Sequence, residues 1–465
     1  MKFLLGICRA TLVKASRSWQ SSSKLRDPGL WGLEVNGSGH LSVQGVDTLE
    51  LVSKFGSPLL VVNKQQLLKD VDELKTAFKR APAGSRILYS YKTNCTPGIL
   101  KSMHAAGIGA EVISPYELWL AEQLGVPGDM ILYNGVDKSD ASIESAIRLG
   151  VLSINIDQVE EIERIRSIAA RLEKKANVGV RLALSSRSQF GLDVESGEAL
   201  DACRRIKSLS RNLDFRCLHV HLTSNAKDST SHRAFAVRAL KFLHELKDKT
   251  GLSVPFLDMG GGFGVPTTKN MNGIEYGVYR VAGALPKPPR PEDWQPASDF
   301  MHELVSEIEA TCAELQLEVP RLIIEPGRLI TSRAEFLLAG VRTVKRRTGG
   351  PHFAITDAGR LSLTFPCDFE YHEVFVAGRP HDRMDTLYDV MGRVCTSSDW
   401  MFKNRLLPRL QAGDVLAVMD AGAYFSSYSS NFAFPRPAIV MVDAGKAAVI
   451  RDAETFEHLT ALDTY

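Results

Sequence analysis

The feature that most constrains this chain is a regular alternation between residues 86 and 325. Eight short apolar runs, at 86–92, 109–114, 130–134, 153–157, 178–184, 217–222, 256–260 and 321–325, are separated by segments of helical character. One such segment carries Val159, Ile162, Ile165, Ile168 and Leu172 on one face. Another carries Leu240, Leu243 and Leu246 and stops near Gly251. A third carries Phe300, Leu304, Ile308 and Leu315, with Ser298 and Asp299 placed to cap it. Apolar runs that alternate with amphipathic helices are parallel strands joined by crossovers, so the class is α/β. Eight units are what a closed (β/α)8 TIM-like barrel requires. An open doubly wound sheet also satisfies the periodicity.

On either side the pattern changes. Pro58–Val62 reads as a strand, and Leu67, Val71, Leu74 and Phe78 place a helix over 64–80. From about 335 the runs are short and separated by turns, as at Phe353–Thr356, Val374–Val376, Val415–Met419 and Ile439–Val442. Four regions follow: an N-terminal extension (1–27), N-terminal strands (28–62), the barrel (63–334), and a C-terminal β-sandwich or β-barrel domain (335–465) that the N-terminal strands complete. Residues 265–298, with Pro286, Pro288, Pro289, Pro291 and Pro296, read as a long irregular loop.

Composition narrows the class of partner. Of 465 residues, 44% are hydrophobic, and the net charge is only +2 with no long charged block, so neither nucleic acid nor a membrane surface is indicated. No apolar stretch is long enough to span a bilayer. The seven cysteines are scattered and form no CxxC pair, which points to no disulfide framework and no zinc site. Up to Arg26 the chain carries Lys2, Arg9, Lys14, Arg17, Lys24 and Arg26, several serines and no acid. That stretch reads either as an organelle transit peptide or as a disordered extension. The expected location is cytoplasmic, or mitochondrial or plastid if residues 1–26 are a transit peptide.

The polar residues fall at the C-terminal ends of the apolar runs, where barrel sites form: Lys92, Glu111, Ser114, Asn134, Asp157, His221, Ser224, Gly260–Gly262, Glu325 and Arg328. Lys92 ends the run Arg86–Tyr91. It is either a lysine with its ammonium in water or one that forms a Schiff base with an aldehyde cofactor. Gly260-Gly-Gly262-Phe-Gly264 offers backbone N–H groups to an anion where no Cβ intrudes, while its spacing does not match a dinucleotide fingerprint. Glu325-Pro-Gly-Arg328 supplies either an internal ion pair or an acid and a phosphate-gripping guanidinium. His219 and His221 share one face of a strand, and no third metal ligand is evident, so no metal is expected.

Taken together, these motifs resemble the fold-type III decarboxylases that use pyridoxal 5'-phosphate, the group of the diaminopimelate, ornithine and arginine enzymes. The match runs from about residue 50 to 445 through Tyr91-Lys-Thr-Asn94, Gly109-Ala-Glu-Val-Ile-Ser-Pro-Tyr-Glu-Leu118, His221-Leu-Thr-Ser224, Gly260–Gly264, Glu325–Arg328, Cys395-Thr-Ser-Ser-Asp399 and Asp420-Ala-Gly-Ala-Tyr424. Ser429-Ser-Asn431 with Arg436-Pro-Ala438 is most similar to the diaminopimelate branch. The resemblance implies that Lys92 carries the cofactor as a Schiff base and that His221 stacks on its ring. Glu325 pairs with the pyridine nitrogen, and Glu111 sits near the ring. Ser224, Gly261, Gly262, Arg328 and Tyr424 bind the phosphate. The implied partners are a small amino-acid substrate and a second copy of the chain. In such a homodimer, Cys395 and Asp399 enter the site from the other subunit, and Cys395 donates a proton.

An acid opposite the pyridine nitrogen favours its protonated form, which is what a carbanion at Cα needs. The related barrel racemases place an arginine there, so Glu325 favours decarboxylation. Two departures bear on substrate. Thr396 stands where the diaminopimelate enzymes have a glutamate, and Phe365-Pro366 where they have Arg-Pro. Thr223 also departs from the usual His-Ile-Gly-Ser. A changed lining means a changed substrate, with Asp368, Glu370, Asp399 and Tyr424 as candidate substrate contacts. The alternatives are a true meso-diaminopimelate decarboxylase of lysine biosynthesis, a racemase, and a cofactor-free relative that only binds partners.

Overall fold

A computed structural model of the chain describes residues 2–185, 188–221, 224–348 and 351–464. Leu222 and Thr223 of the His221 motif lie outside the described residues. The chain divides into two compact units. The first comprises residues 71–264 and 295–327, and the second comprises residues up to 70, 265–294 and those from 328 onward.

The first unit is a barrel. Its strands are β1 (Arg86–Ser90), β2 (Gly109–Val112), β3 (Ile131–Tyr133), β4 (Ser153–Ile156), β5 (Ala176–Ala183), β6 (Leu213–His219), β7 (Phe256–Asp258) and β8 (Arg321–Ile324). Each pairs in parallel with the next, and β8 returns to β1 through Ile323 opposite Arg86 and Ile324 opposite Ile87, closing the ring. Closure decides against the open sheet. The strands are buried on both faces, which is why they read as continuous apolar runs. Leu88, Leu132, Cys217, Phe256 and Ile323 meet in one buried cluster. Burying each large apolar side chain contributes about 1.5–3 kcal/mol.

Local chemistry starts and stops the helices between strands. Ser114 caps Pro115–Gln123 by accepting the Glu117 N–H, and Pro115 sits in the first turn, where no N–H is needed. Ser139 caps Asp140–Leu149 in the same way, and left-handed Gly150 ends it. Thr230–Thr250 stops at left-handed Gly251. The expected cap by Ser298 or Asp299 is not formed. Helix Ala297–Glu314 begins after Pro296, so both residues lie inside its first turn.

The second unit is built on a nine-stranded sheet. Its path runs Trp400–Leu407, Thr386–Met391, His352–Thr356, Glu335–Lys345, Leu59–Asn63, Ile439–Asp443 and Lys446–Arg451, with Val415–Val418 and Val374–Val376 paired beside Glu335–Lys345. Leu59–Asn63 lies between Glu335–Lys345 and Ile439–Asp443, so an N-terminal strand does complete the C-terminal sheet. Trp31, Leu59, Phe336, Phe375, Met419 and Val440 belong to its core.

Two segments differ from expectation. Residues 265–294 belong to this unit and contain helix Gly273–Ala282, started by a reciprocal cap between Asn272 and Glu275. The prolines that read as a loop all follow that helix. The N-terminal extension forms helix Lys2–Ser21. Gln20 accepts the Leu406 N–H at 2.8 Å and donates to the Asn404 carbonyl at 3.0 Å, and Arg9 reaches the Ala282 carbonyl at 3.2 Å. These docked polar contacts supply what a disordered extension would lack. Among the described residues, no helix is long and apolar enough to cross a membrane.

Candidate active site

The C-terminal ends of the barrel strands gather a buried polar network centred on Glu325, the residue that follows β8. Its backbone N–H is held by the Gly260 carbonyl at 2.9 Å, and its side chain is 2% exposed. Asn134, after β3, donates its Nδ2 amide to Glu325 at 2.6 Å and also reaches Glu111 on β2 at 2.9 Å. Glu111 accepts the Ser90 hydroxyl at 2.5 Å, and Asn155 donates to Asn134 Oδ1 at 2.9 Å. Each buried acid therefore has a donor, as burial demands.

Two histidines flank Glu325 from β6 and its end. His219 Nδ1 lies 2.5 Å from Asp258 and 3.4 Å from Glu325, and His221 Nδ1 lies 3.6 Å from Glu325. Their rings are parallel, 6.4 Å apart. The sequence expectation found no third ligand beside these histidines, yet the fold brings the Glu325 carboxylate within 4.8 Å of both. His219 Nδ1 is already taken by Asp258, so the group is better described as a proton-sharing network.

Charge in this network is set by mutual contact. Burial pushes the Glu325 carboxyl up, but His219 and His221 together hold it well below its ordinary value. Burial opposes a charge on His219, while Asp258 and Glu325 outweigh it and raise the ring to about 9. Burial and the Glu325 charge push Asp258 up to about 8, against the pull of His219. Burial lowers His221, with Lys92 and His219 adding positive repulsion. Two acids in one dry site do not both ionise freely; here Glu325 keeps the charge.

Lys92 follows β1 in a single 3-10 turn, Tyr91–Thr93, rather than ending the strand itself. It is half-buried. Its charge is felt by His221 and also by Glu117, a carboxyl that burial pushes up to about 7. Glu117 accepts the Ile113 N–H at 2.7 Å.

The glycine loop follows β7. Gly260 and Gly262 have φ of +65° and +84°, values that favour glycine, and a Cβ on Gly261 would collide with the Glu325 carbonyl. The Gly261 N–H donates to His221 Nδ1 at 3.1 Å, and His232 Nε2 meets the Gly261 carbonyl at 2.9 Å. Exposed Ser224 lies two residues before Ala226, which forms a bridge with Phe263, so its loop runs beside the glycines. The barrel therefore brings together Lys92, Glu111, His221, Ser224, Gly261, Gly262 and Glu325.

The other expected residues belong to the second unit. Arg328 is buried and makes a bidentate pair with Glu370 at 2.6 and 3.1 Å; its guanidinium lies 5.4 Å from the Tyr424 ring centroid. Asp368 is held by Arg280 at 2.7 Å and by Arg360 at 2.9 Å. Cys395 is exposed. Asp399 is buried, and its two oxygens accept the N–H groups of Leu361 at 3.0 Å and Val394 at 2.9 Å. Sequence reasoning assigned no role to His219, Asp258, Asn155 or His232. The signal for the first two was present: a histidine and an acid stand inside otherwise apolar runs.

Residues 65–332 match the pyridoxal-binding domain of the pyridoxal-dependent decarboxylases. A diaminopimelate decarboxylase from Methanothermobacter thermautotrophicus is 31% identical over 441 residues, covering 92% of this chain and 96% of that one. The crystal structure of diaminopimelate decarboxylase from M. jannaschii superposes with a TM-score of 0.83 at 27% identity, covering 94% of this chain and 98% of the other. Its complex with L-lysine superposes at 0.81, with 28% identity over 93% of this chain and 98% of the other. The chain belongs to the pyridoxal-dependent decarboxylases: it is an amino-acid carboxy-lyase with pyridoxal 5'-phosphate as its cofactor.

Proposed function

We propose that this enzyme removes the α-carboxyl group of an amino acid whose far end is recognised differently from that of diaminopimelate. Lys92, His221 and Glu325 hold the cofactor, and Cys395 supplies a proton to the product. The carrying observation is the buried Glu325 carboxylate, kept ionised between two histidines and Asn134.

The donor set fits the cofactor. A buried, ionised acid suits a protonated pyridine nitrogen. The backbone at Gly261, where a Cβ would collide, suits close approach of a phosphate. Ser224, Gly261, Gly262, Arg328 and Tyr424 are proposed for that phosphate. The pair with Glu370 uses only part of the Arg328 donor set, leaving N–H groups for a second anion. Glu111 is proposed to lie near the ring through its shared donor, Asn134. When bound, pyridoxal 5'-phosphate supplies the electron sink for the pair released as CO₂ leaves. The protein's part is to present the Lys92 amine, hold negative charge at Glu325, keep His221 flat, and carry a proton at Cys395 Sγ.

The changed far end rests on the second unit. Phe365 packs against Phe369 and Tyr428, with ring centroids 5.6 and 5.2 Å apart. Asp368 and Glu370, expected as contacts for a distal cation, are each paired with arginines of their own unit. Asp399 likewise spends both oxygens on backbone N–H groups. Of the four candidate substrate contacts, Tyr424 is the one proposed to remain. The proposal includes a homodimer, in which exposed Cys395 serves the partner's site, and a cytoplasmic location.

A second reading, decarboxylation of meso-diaminopimelate itself, is favoured by relatives of that name that match over most of the chain. A CO₂-release screen over both enantiomers of lysine, ornithine, arginine and glutamate, alongside diaminopimelate, separates the two. Diaminopimelate as the best substrate would replace the first reading with the second. Lys92→Ala is the control and should lose both CO₂ release and the visible absorption of bound cofactor.

A further inference from the structure

We propose that His219 is a positioning residue for Glu325: clamped by Asp258, its ring keeps the Glu325 carboxylate charged and in place behind the cofactor. This rests on the reading above, in which Glu325 serves the pyridine nitrogen.

Asp258 ends β7 and is fixed from two sides. Its Oδ1 accepts the Gly260 N–H at 2.9 Å, and its Oδ2 meets His219 Nδ1 at 2.5 Å. The parallel register sets this pair, because His219 and Asp258 are direct partners across β6 and β7. The ring is 1% exposed, and its Nε2 has no partner among the described residues. The ring's described polar contacts therefore go to the two acids, a hydrogen bond to Asp258 and a 3.4 Å ion-pair approach to Glu325. The groups that face Glu325 are His219 and His221 from β6 and its end, Asp258 from β7 and Asn134 just after β3; Glu111 lies beyond Asn134, and Lys92 acts on His221. Cys217, also on β6, stays a neutral thiol because burial pushes it up. Of the two histidines beside Glu325, His219 is thus the nearer, at 3.4 Å against 3.6 Å, and the one anchored by a second acid.

The working form of Glu325 is the anion. Without the His219 ring its proton binds more tightly, so function is lost at a higher pH as the solution is acidified. The test uses the full-length protein reconstituted with pyridoxal 5'-phosphate, comparing His219→Gln, His219→Asn and Glu325→Gln. For His219→Gln, cofactor Kd should rise and kcat should fall by about tenfold or more, with KM changed by less than about threefold. The acid limb of the kcat profile should move up by about one pH unit. His219→Asn, a shorter neutral side chain that also removes the ring, should produce the same shift if His219→Gln does not fold. An unmoved acid limb and unchanged cofactor Kd in a folded variant overturn the role of His219. If Glu325→Gln is equally silent, the assignment of Glu325 fails instead, and the two failures are told apart.

Discussion

Asn134 places its side-chain amide 2.6 Å from the Glu325 carboxylate. The same nitrogen serves Glu111 at 2.9 Å, so one neutral donor sits between two buried acids on strands remote in sequence. Asn134→Asp would replace that donor with a third acid of nearly the same shape. Removing the partner of a buried charge costs about 1–3 kcal/mol or more. The expected outcome is a fall in unfolding free energy of that order, with CO₂ release lowered about tenfold or more; Asn134→Gln should recover part of the activity. Denaturant unfolding and steady-state kinetics check both.

Much of the barrel was legible because burial on both faces leaves apolar runs that alternate with amphipathic helices. All eight runs correspond to strands, with ends displaced by local structure. The sixth begins at Leu213, where half-buried polar residues such as Asp214 and Arg216 hide the pattern. Lys92, Glu325 and the glycine loop were visible as polar or flexible ends to apolar runs. The His219–Asp258 pair was not, because it depends on register between β6 and β7, and periodicity within either strand says nothing about register. The Asp399 carboxylate also accepts two backbone N–H groups, from Leu361 and Val394, a bond pattern that its place in a motif did not reveal. Helix Gly273–Ala282 was masked by the prolines beyond it.

Glu117 predicts a dependence of stability on pH. Burial raises its carboxyl from an ordinary 4.5 to about 7. The folded protein therefore binds this proton more tightly than the unfolded chain does. Stability from that proton is complete below 4.5 and is lost as pH rises through 7. Glu117→Gln keeps an acceptor for the Ile113 N–H and removes the titration. The variant should match the parent at pH 5 and exceed it at pH 8.5 by on the order of 1 kcal/mol. Thermal unfolding of the cofactor-free protein at the two pH values checks this; equal differences at both would contradict it.

Asp399 predicts a link between two loops. Its oxygens hold Leu361 and Val394, and a Cβ on either Gly359 or Gly392 would collide with its carboxylate. Asp399→Ala would release both the turn that carries Arg360 and the loop that carries Cys395. The cost should be about 1–3 kcal/mol for each N–H left buried and unpaired. The rate at which Cys395 reacts with a thiol reagent should change in the variant, while Asp399→Glu, which retains an acceptor, should lie between the two. Identical thiol kinetics in all three proteins would show that the loop keeps its place without this carboxylate.

The proposed sharing of sites predicts complementation. If Lys92 from one copy and Cys395 from the other complete each site, then Lys92→Ala and Cys395→Ala homodimers are both impaired. Unfolding and refolding them together redistributes the subunits, and half of the dimers become mixed. By two-fold symmetry, a mixed dimer has one site with both substitutions and one site with neither. The mixture should therefore regain about a quarter of the parent activity, although each parent variant alone is nearly inactive. If both residues instead came from the same copy, every site would carry one substitution and mixing would restore nothing. Sedimentation of the mixture confirms that dimers formed, so a null result would speak against shared sites and not against assembly.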